Sequence, residues 1–104
     1  MAGSANVSWG YIGTQRGSRA APIMYVDVAQ TFATTELSST QSAANALAQM
    51  GHNLAVRVML SEEGYVKIGA NPTATVAAGT RIAANAEAFF AVAPGDKVAI
   101  IDSA

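Results

Sequence analysis

The side chains that could perform acid–base or metal chemistry are few and scattered in this sequence. The only histidine, His52, lies in a Gly-His-Asn segment, which predicts a surface turn rather than a general base or metal ligand. Glu62 and Glu63 are adjacent, but neighbours in a turn point apart into water, where we expect both to ionise normally. Asp96 and Asp102 fit no calcium-loop spacing. Glu62 and Glu63 therefore indicate solubilising charge, and Asp96 and Asp102 do not indicate a metal centre.

Sequence motifs of common catalytic and nucleotide-binding sites are also missing. The chain has no GxSxG, SxxK, HExxH, GxxxxGK[ST] or GxGxxG, and it has no cysteine. A chain without cysteine can form no disulfide framework, thiolate zinc site or iron–sulfur site. We therefore predict a protein that is not an enzyme and that uses no cofactor and no metal ion.

The charge pattern argues against nucleic acid and membrane partners. Six Lys and Arg residues stand against seven Asp and Glu residues, and the only basic pair close in sequence is Arg16 and Arg19. Tyr65 and Lys67 would share one strand face, but the apolar run around Phe89 and Phe90 predicts core rather than a stacking surface. Polar residues interrupt every apolar run before membrane-spanning length.

Composition bounds the fold. The 104 residues suit one domain, and only 12% of them are charged, about half the usual ~25%. The chain has 23 Ala, 4 Leu and 23 residues of Val, Ile or Thr, which favours strands over Leu-rich helical packing. Low charge and small apolar side chains are also typical of surfaces covered by other subunits. We therefore expect an all-β domain that self-associates through Ala-rich faces, with a trimer favoured.

Glycine spacing divides the chain into two regions. Four glycines among the first 20 residues predict that residues 1–21 form an extended N-terminal arm, followed by a single β-rich domain over residues 22–104. Pro22 leads into alternation over Ile23–Val28, which predicts a strand. The segment 38–50 is ambiguous: Ser38 could cap a short helix, whereas its Ser and Thr residues favour extended or turn structure, and we slightly favour the latter.

The second half has a clearer strand pattern. Leu54–Leu60 and Tyr65–Ile68 alternate about a four-residue loop, which predicts a hairpin with Arg57 and Lys67 opposite the buried aliphatics. A short strand follows around Thr80–Ala83. The last unit, over Glu87–Val92 and Lys97–Asp102, is joined by Ala93-Pro94-Gly95-Asp96, typical of a type II turn with positive φ at Gly95. Short strands at this spacing predict a small β-sandwich or barrel-like domain.

The same segments carry a resemblance. They read LAVRVML (Leu54–Leu60), YVKIG (Tyr65–Gly69), NPTAT (71–75) and AFFAVAPGDKVAII (Ala88–Ile101). Residues 50–102 resemble small β-rich structural proteins of tailed bacteriophages, in which an Arg-containing strand leads to a "yvkiG" strand, a Pro/Ala/Thr linker and a strand pair closed by a "PGxkvA" turn. The resemblance implies a non-enzymatic virion component, made in the bacterial cytoplasm and attached to the phage head or neck.

The functional hypothesis is docking on the major capsid protein or other virion proteins as a decoration or cement protein. The arm would place Trp9, Tyr11, Arg16 and Arg19 on that lattice, since aromatic and Arg side chains are effective interface anchors. Alternatively, Trp9 and Tyr11 cover the domain's own core. Other functions left open are a neck or tail adaptor and a fibre-associated carbohydrate-binding module that uses exposed Trp9, Tyr25 or Tyr65.

Overall fold

A computed structural model describes residues 3–14, 22–45 and 53–103, and of residues 11–14, 22–28 and 53 it describes the backbone alone. The described residues form eight strands and no helix, and thus no helix of the length and hydrophobicity needed to span a membrane. The strands are β1 (Gly3–Thr14), β2 (Pro22–Thr34), β3 (Thr40–Gln41), β4 (Asn53–Leu60), β5 (Gly64–Gly69), β6 (Thr80–Ile82), β7 (Glu87–Ala91) and β8 (Lys97–Asp102).

The strands form two four-stranded sheets, and all neighbouring strands are antiparallel. Sheet A has the order β2-β1-β4-β7, and sheet B has the order β3-β8-β5-β6. The sheets share one hydrophobic core, as in a small β-sandwich. The all-β prediction is therefore confirmed.

The core follows from the two-residue period of the strands, because alternate side chains point to opposite faces. Trp9 is the largest fully buried side chain, with an exposed fraction of 0%. Sheet A also contributes Val7, Val56, Val58 and Leu60, and sheet B contributes Val66, Ile82, Val98 and Ile100.

The predicted N-terminal arm is wrong for residues 3–14. These residues form β1, which lies between β2 and β4 at the centre of sheet A. The inward positions Val7 and Trp9 bury enough apolar surface to hold this Gly-containing segment in the sheet. The β-rich domain therefore includes residues 3–14, while residues 15–21 lie outside the described part of the chain.

The predicted hairpin of Leu54–Leu60 with Tyr65–Ile68 is also wrong. Its two strands exist, but β4 pairs with β1 and β7 in sheet A, whereas β5 pairs with β6 and β8 in sheet B. The last two strands, β7 and β8, are likewise split between the sheets. Alternation shows which face of a strand is apolar, but not which strand it pairs with. Two consecutive strands bury their apolar faces in the same core whether they pair in one sheet or lie in two facing sheets.

Other local predictions hold. The strand at Ile23–Val28 lies within β2, and the short strand near residue 80 is β6. In the β7–β8 turn, Gly95 has φ +84° and the Asp96 N–H donates to the Ala93 carbonyl over 3.1 Å, as the type II prediction requires.

The ambiguous segment 38–50 is not helical where it is described. It contains the two-residue strand β3, followed by irregular backbone over residues 42–45. The Ser42 N–H donates to the Val98 carbonyl over 2.7 Å, and the Asn45 N–H donates to the Asp96 carbonyl over 3.0 Å. The backbone of this segment therefore bonds to β8 and to the β7–β8 turn instead of forming intrahelical bonds. Residues 46–52, His52 included, lie outside the described residues.

Candidate docking surface

The outward side of sheet A carries a mixed apolar and polar surface, here called the sheet A face. It comprises the outward residues of the four strands: Ser4, Asn6, Ser8, Ala29, Thr31, Ala33, Ala55, Arg57, Met59, Glu87, Phe89 and Ala91. Strand pairing sets its two central rows, which are Ala29-Ser8-Arg57-Phe89 and Thr31-Asn6-Met59-Glu87. Three exposed alanines, Ala29, Ala33 and Ala91, belong to this face, so a partner could approach its backbone closely there, whereas Ala55 is buried.

Arg57 is the central cation of the sheet A face. Its Nε lies 3.1 Å from Glu87 Oε2 in an ion pair that lacks hydrogen-bond geometry, and its Nη2 lies 3.2 Å from Met59 Sδ. Met59, two residues along the same strand, and Glu87 of the neighbouring strand β7 thus hold the guanidinium against the sheet. Because a guanidinium has five N–H donors in a rigid fork, the group keeps donors for a carboxylate or carbonyl from a partner.

Phe89 lies beside Arg57 and is 50% exposed. The prediction that Phe89 and Phe90 are both core is wrong for Phe89, because adjacent strand residues face opposite sides. Phe90 points inward and packs against the core, which leaves Phe89 on the sheet A face. An exposed aromatic next to an arginine is a combination enriched at protein interfaces.

A shallow depression of about 340 Å³, lined by both apolar and polar side chains, adjoins Arg57. Its lining includes Asn6, Thr31, Met59 and Ser61. Asn6 Nδ2 donates to Thr31 Oγ1 over 3.1 Å across the β1–β2 pair, so part of its polar lining is already hydrogen-bonded. The depression adds hydrogen-bonding groups to one side of the sheet A face.

The outward side of sheet B, in contrast, is partly covered by the chain itself. The linker 70–79 crosses it, held by Gln41 Nε2, which donates to the Pro72 carbonyl over 2.6 Å, and by the Ala74 N–H, which donates to Ser39 Oγ over 2.9 Å. Ala99 is fully buried on this side. Tyr65 is half-buried there, while Lys67 is exposed, as predicted. On the sheet A face Ser8 and Ala55 are likewise buried, whereas Phe89 and Glu87 are exposed.

One ion pair on sheet B changes the titration of an acid. Arg81 Nε donates to Glu63 Oε2 over 3.0 Å, and Nη2 contacts the same oxygen. Hydrogen bonding to Arg81 lowers the pKa of Glu63, with Ser103 as a second donor, and the pKa of Arg81 is raised. The expectation that both turn glutamates ionise normally is therefore wrong for Glu63.

The other acids singled out by sequence act within the fold. Asp96 Oδ2 accepts a hydrogen bond from the Ala93 N–H over 2.9 Å within its own turn. Asp102 is 2% exposed and accepts hydrogen bonds from Thr34 and Gly3. The described ranges hold no cluster of three or more His, Asp and Glu side chains suited to a metal ion.

The predicted anchor residues do not form one exposed site. Trp9 is enclosed in the core, so its side chain offers no surface to a partner. For this residue the alternative prediction, that it packs in the domain's own core, is the correct one. Tyr11 lies in β1 opposite Leu54, with its side chain outside the description, and Arg16 and Arg19 lie outside the described residues altogether.

Sequence reasoning did not identify Arg57 and Phe89 as candidate docking residues. Alternation around Arg57 had already placed it opposite the buried aliphatics, and the same rule applied to the pair Phe89 and Phe90 would have exposed one of them. Their juxtaposition depended on the pairing of β4 with β7. No family model, curated protein or solved structure matches this chain.

Proposed function

We propose that this chain is a non-enzymatic structural protein of a tailed-bacteriophage particle, which docks on the major capsid protein as a decoration or cement protein. The sheet A face supports the docking function, because it places Arg57 and the exposed Phe89 side by side among small residues. The phage assignment is supported by the resemblance of residues 50–102, whose Arg-containing strand is β4.

The arrangement suits docking on a protein lattice for a physical reason. Arg57 is already held by Glu87 and Met59, so binding would restrict few of its rotamers. Phe89 would lose exposed apolar surface on contact, while the alanines allow close approach. Truncation of such anchors typically costs about 2 kcal/mol of binding free energy, a factor of about 30 in Kd.

The test is cosedimentation of the purified chain with particles encoded by the same genome, prepared from a strain that lacks this gene. Wild-type chain should sediment with the particles and saturate, and Arg57→Ala and Phe89→Ala should each weaken this binding about 30-fold. Lys67→Ala is the matched control, because Lys67 is an exposed cation on the other sheet. Failure of the wild-type chain to bind, or equal binding by all three variants, would contradict the proposal.

The same particles distinguish the head from other positions. Electron microscopy of particles saturated with the chain should show added density across the capsid lattice. Density confined to the neck or tail would instead identify an adaptor protein and overturn the decoration assignment.

A second candidate function is a fibre-associated carbohydrate-binding module. The observation that favours it is the depression beside Arg57, whose Asn6, Thr31 and Ser61 side chains offer hydrogen-bonding groups beside apolar ones. A glycan array probed with the wild-type chain and with Asn6→Ala tests it: specific binding that the substitution abolishes would favour this function over capsid docking.

A further inference from the structure

The outer edge of sheet A is formed by β7, whose second side has no strand partner among the described residues. Its pairing with β4 runs without a register shift from Ala55↔Ala91 to Met59↔Glu87. β7 contains no proline, which would remove an edge N–H. An unbroken edge of this kind is a template for a further antiparallel strand.

The direction of the free backbone groups follows from two hydrogen bonds. The Val92 N–H donates to the Leu54 carbonyl over 3.1 Å, so Val92, and by alternation Phe90 and Ala88, direct their backbone groups to β4. The Ser61 N–H donates to the Ser4 carbonyl, which assigns the odd-numbered residues of β4 to β1 and agrees with this pattern. Glu87, Phe89 and Ala91 therefore direct their N–H and C=O groups to the free edge.

We propose that this edge binds β7 of a second copy of the chain, in an antiparallel pair with Phe89 opposite Phe89 of the other copy. In this register all three residues with free groups form hydrogen-bonded pairs, because Glu87 of each copy faces Ala91 of the other. The pair is isologous and closes at two chains, unlike the trimer expected from composition.

Side-chain complementarity favours this register. On the inner side, Ala88 of each copy faces the large Phe90 of the other, so small meets large. On the outer side, the two Phe89 rings meet at the twofold axis, and no Glu lies opposite another Glu, which would be unfavourable. A cleft of about 240 Å³, whose lining includes Val66, Lys67 and Phe90, adjoins the same edge.

The consequence is one eight-stranded sheet across two copies, with the two sheet A faces joined into a surface of twice the size. This dimer does not depend on the docking proposal, because it is a property of the isolated chain. Particle binding by a monomer would leave docking intact and refute the dimer, and a dimer that ignores particles would do the reverse.

Sedimentation velocity over a dilution series gives the first test. Wild-type chain should shift with concentration toward twice the mass of the chain, and Phe89→Pro should abolish the shift. Phe89→Pro removes the ring at the twofold axis and an N–H that faces the free edge, but no hydrogen bond to β4, so the β4 ladder is kept. Leu37→Ala is the control, because Leu37 is an 87% exposed apolar residue outside β7. A wild-type monomer at all concentrations, or a dimer that survives Phe89→Pro, would overturn the proposal.

Single-cysteine variants give a second test that does not rely on Phe89→Pro folding. The chain has no cysteine, so each variant carries one thiol. Opposed residues of a hydrogen-bonded pair have Cα atoms about 5.5 Å apart, within disulfide range. Under glutathione disulfide as oxidant, Phe89→Cys should therefore form a covalent dimer.

Glu87→Cys is the matched control on the same strand and face. Its thiols in the two copies would lie four residues apart along the strands, roughly 14 Å, which is too far for a disulfide. A mixture of Glu87→Cys and Ala91→Cys chains should cross-link as a mixed dimer. No faster cross-linking of Phe89→Cys than of Glu87→Cys would refute the register.

Discussion

The carboxylate of Asp102 joins the ends of three strands that are distant in sequence. It accepts a hydrogen bond from Thr34 Oγ1 over 2.6 Å and another from the Gly3 N–H over 3.0 Å. Asp102 is 2% exposed and Thr34 is also buried, so water cannot replace the bond between their side chains. This contact ties the start of β1 and the end of β2, in sheet A, to the end of β8 in sheet B.

Asp102→Ala should therefore cost much of the stability of the domain. A hydrogen bond to a charged group contributes about 1.5–3 kcal/mol, and a buried donor left unsatisfied adds its desolvation penalty. Two such bonds predict a loss of about 3–5 kcal/mol, against a total free energy of unfolding of about 5–15 kcal/mol for a domain of this kind. Thr34→Val should cost about 1.5–3 kcal/mol, since the Gly3 bond remains.

The assay is urea unfolding followed by tryptophan fluorescence, because Trp9 is the only tryptophan and is fully buried. Thr34→Ser is the matched control: it keeps the hydroxyl and should cost less than about 1 kcal/mol for the lost methyl group. The double variant Thr34→Val with Asp102→Ala should lose less than the sum of the two single losses, because one bond is counted in both. A loss below about 1 kcal/mol for Asp102→Ala, or strict additivity, would refute the reasoning.

Three further predictions concern the core, a close backbone approach and an ion pair. Trp9→Ala should lower the free energy of unfolding by about 3–5 kcal/mol. Trp9→Phe should cost far less, because it keeps an aromatic ring in the core and removes an Nε1–H that has no acceptor among the described residues. Chemical unfolding followed by circular dichroism would test this, and equal losses would contradict it. Gly64→Ala should lower the free energy of unfolding by about 1–3 kcal/mol, because the added Cβ would lie 2.8 Å from the Ile101 carbonyl oxygen. Gly69→Ala in the same strand meets open space and should be near neutral. Thermal melts compare the two variants, and similar shifts in Tm would argue against the clash. Arg81 lowers the folded-state pKa of Glu63, so their ion pair stabilises the fold above the pKa of Glu in the unfolded chain and loses this contribution as the pH falls through the folded-state pKa. In a plot of the urea unfolding midpoint against pH, Arg81→Gln should therefore flatten the acid side. An unchanged slope would rule this out.

The sequence by itself determined most of the local structure after residue 53. Alternation over Leu54–Leu60 defined a strand and placed Arg57 on its outer side, because side-chain direction in a strand has a period of two. Pro94 and Gly95 specified a type II turn, because proline fixes the φ that the second position needs and glycine tolerates the positive φ of the third. These features depend on neighbours a few residues away, so they can be predicted without the rest of the chain.

Only the tertiary structure decided which strands pair and which residues meet. Glycine content suggested an arm at the N-terminus, but burial of Trp9 made that segment the centre of sheet A, since packing outweighs weak local preference. Likewise β4 and β5 alternate in the same way whether they pair with each other or face each other across the core. Arg57 lies beside Phe89, and Asp102 bonds to Thr34, through contacts between residues 32 or more positions apart in the chain. Alternation within one strand carries no information about such distant partners.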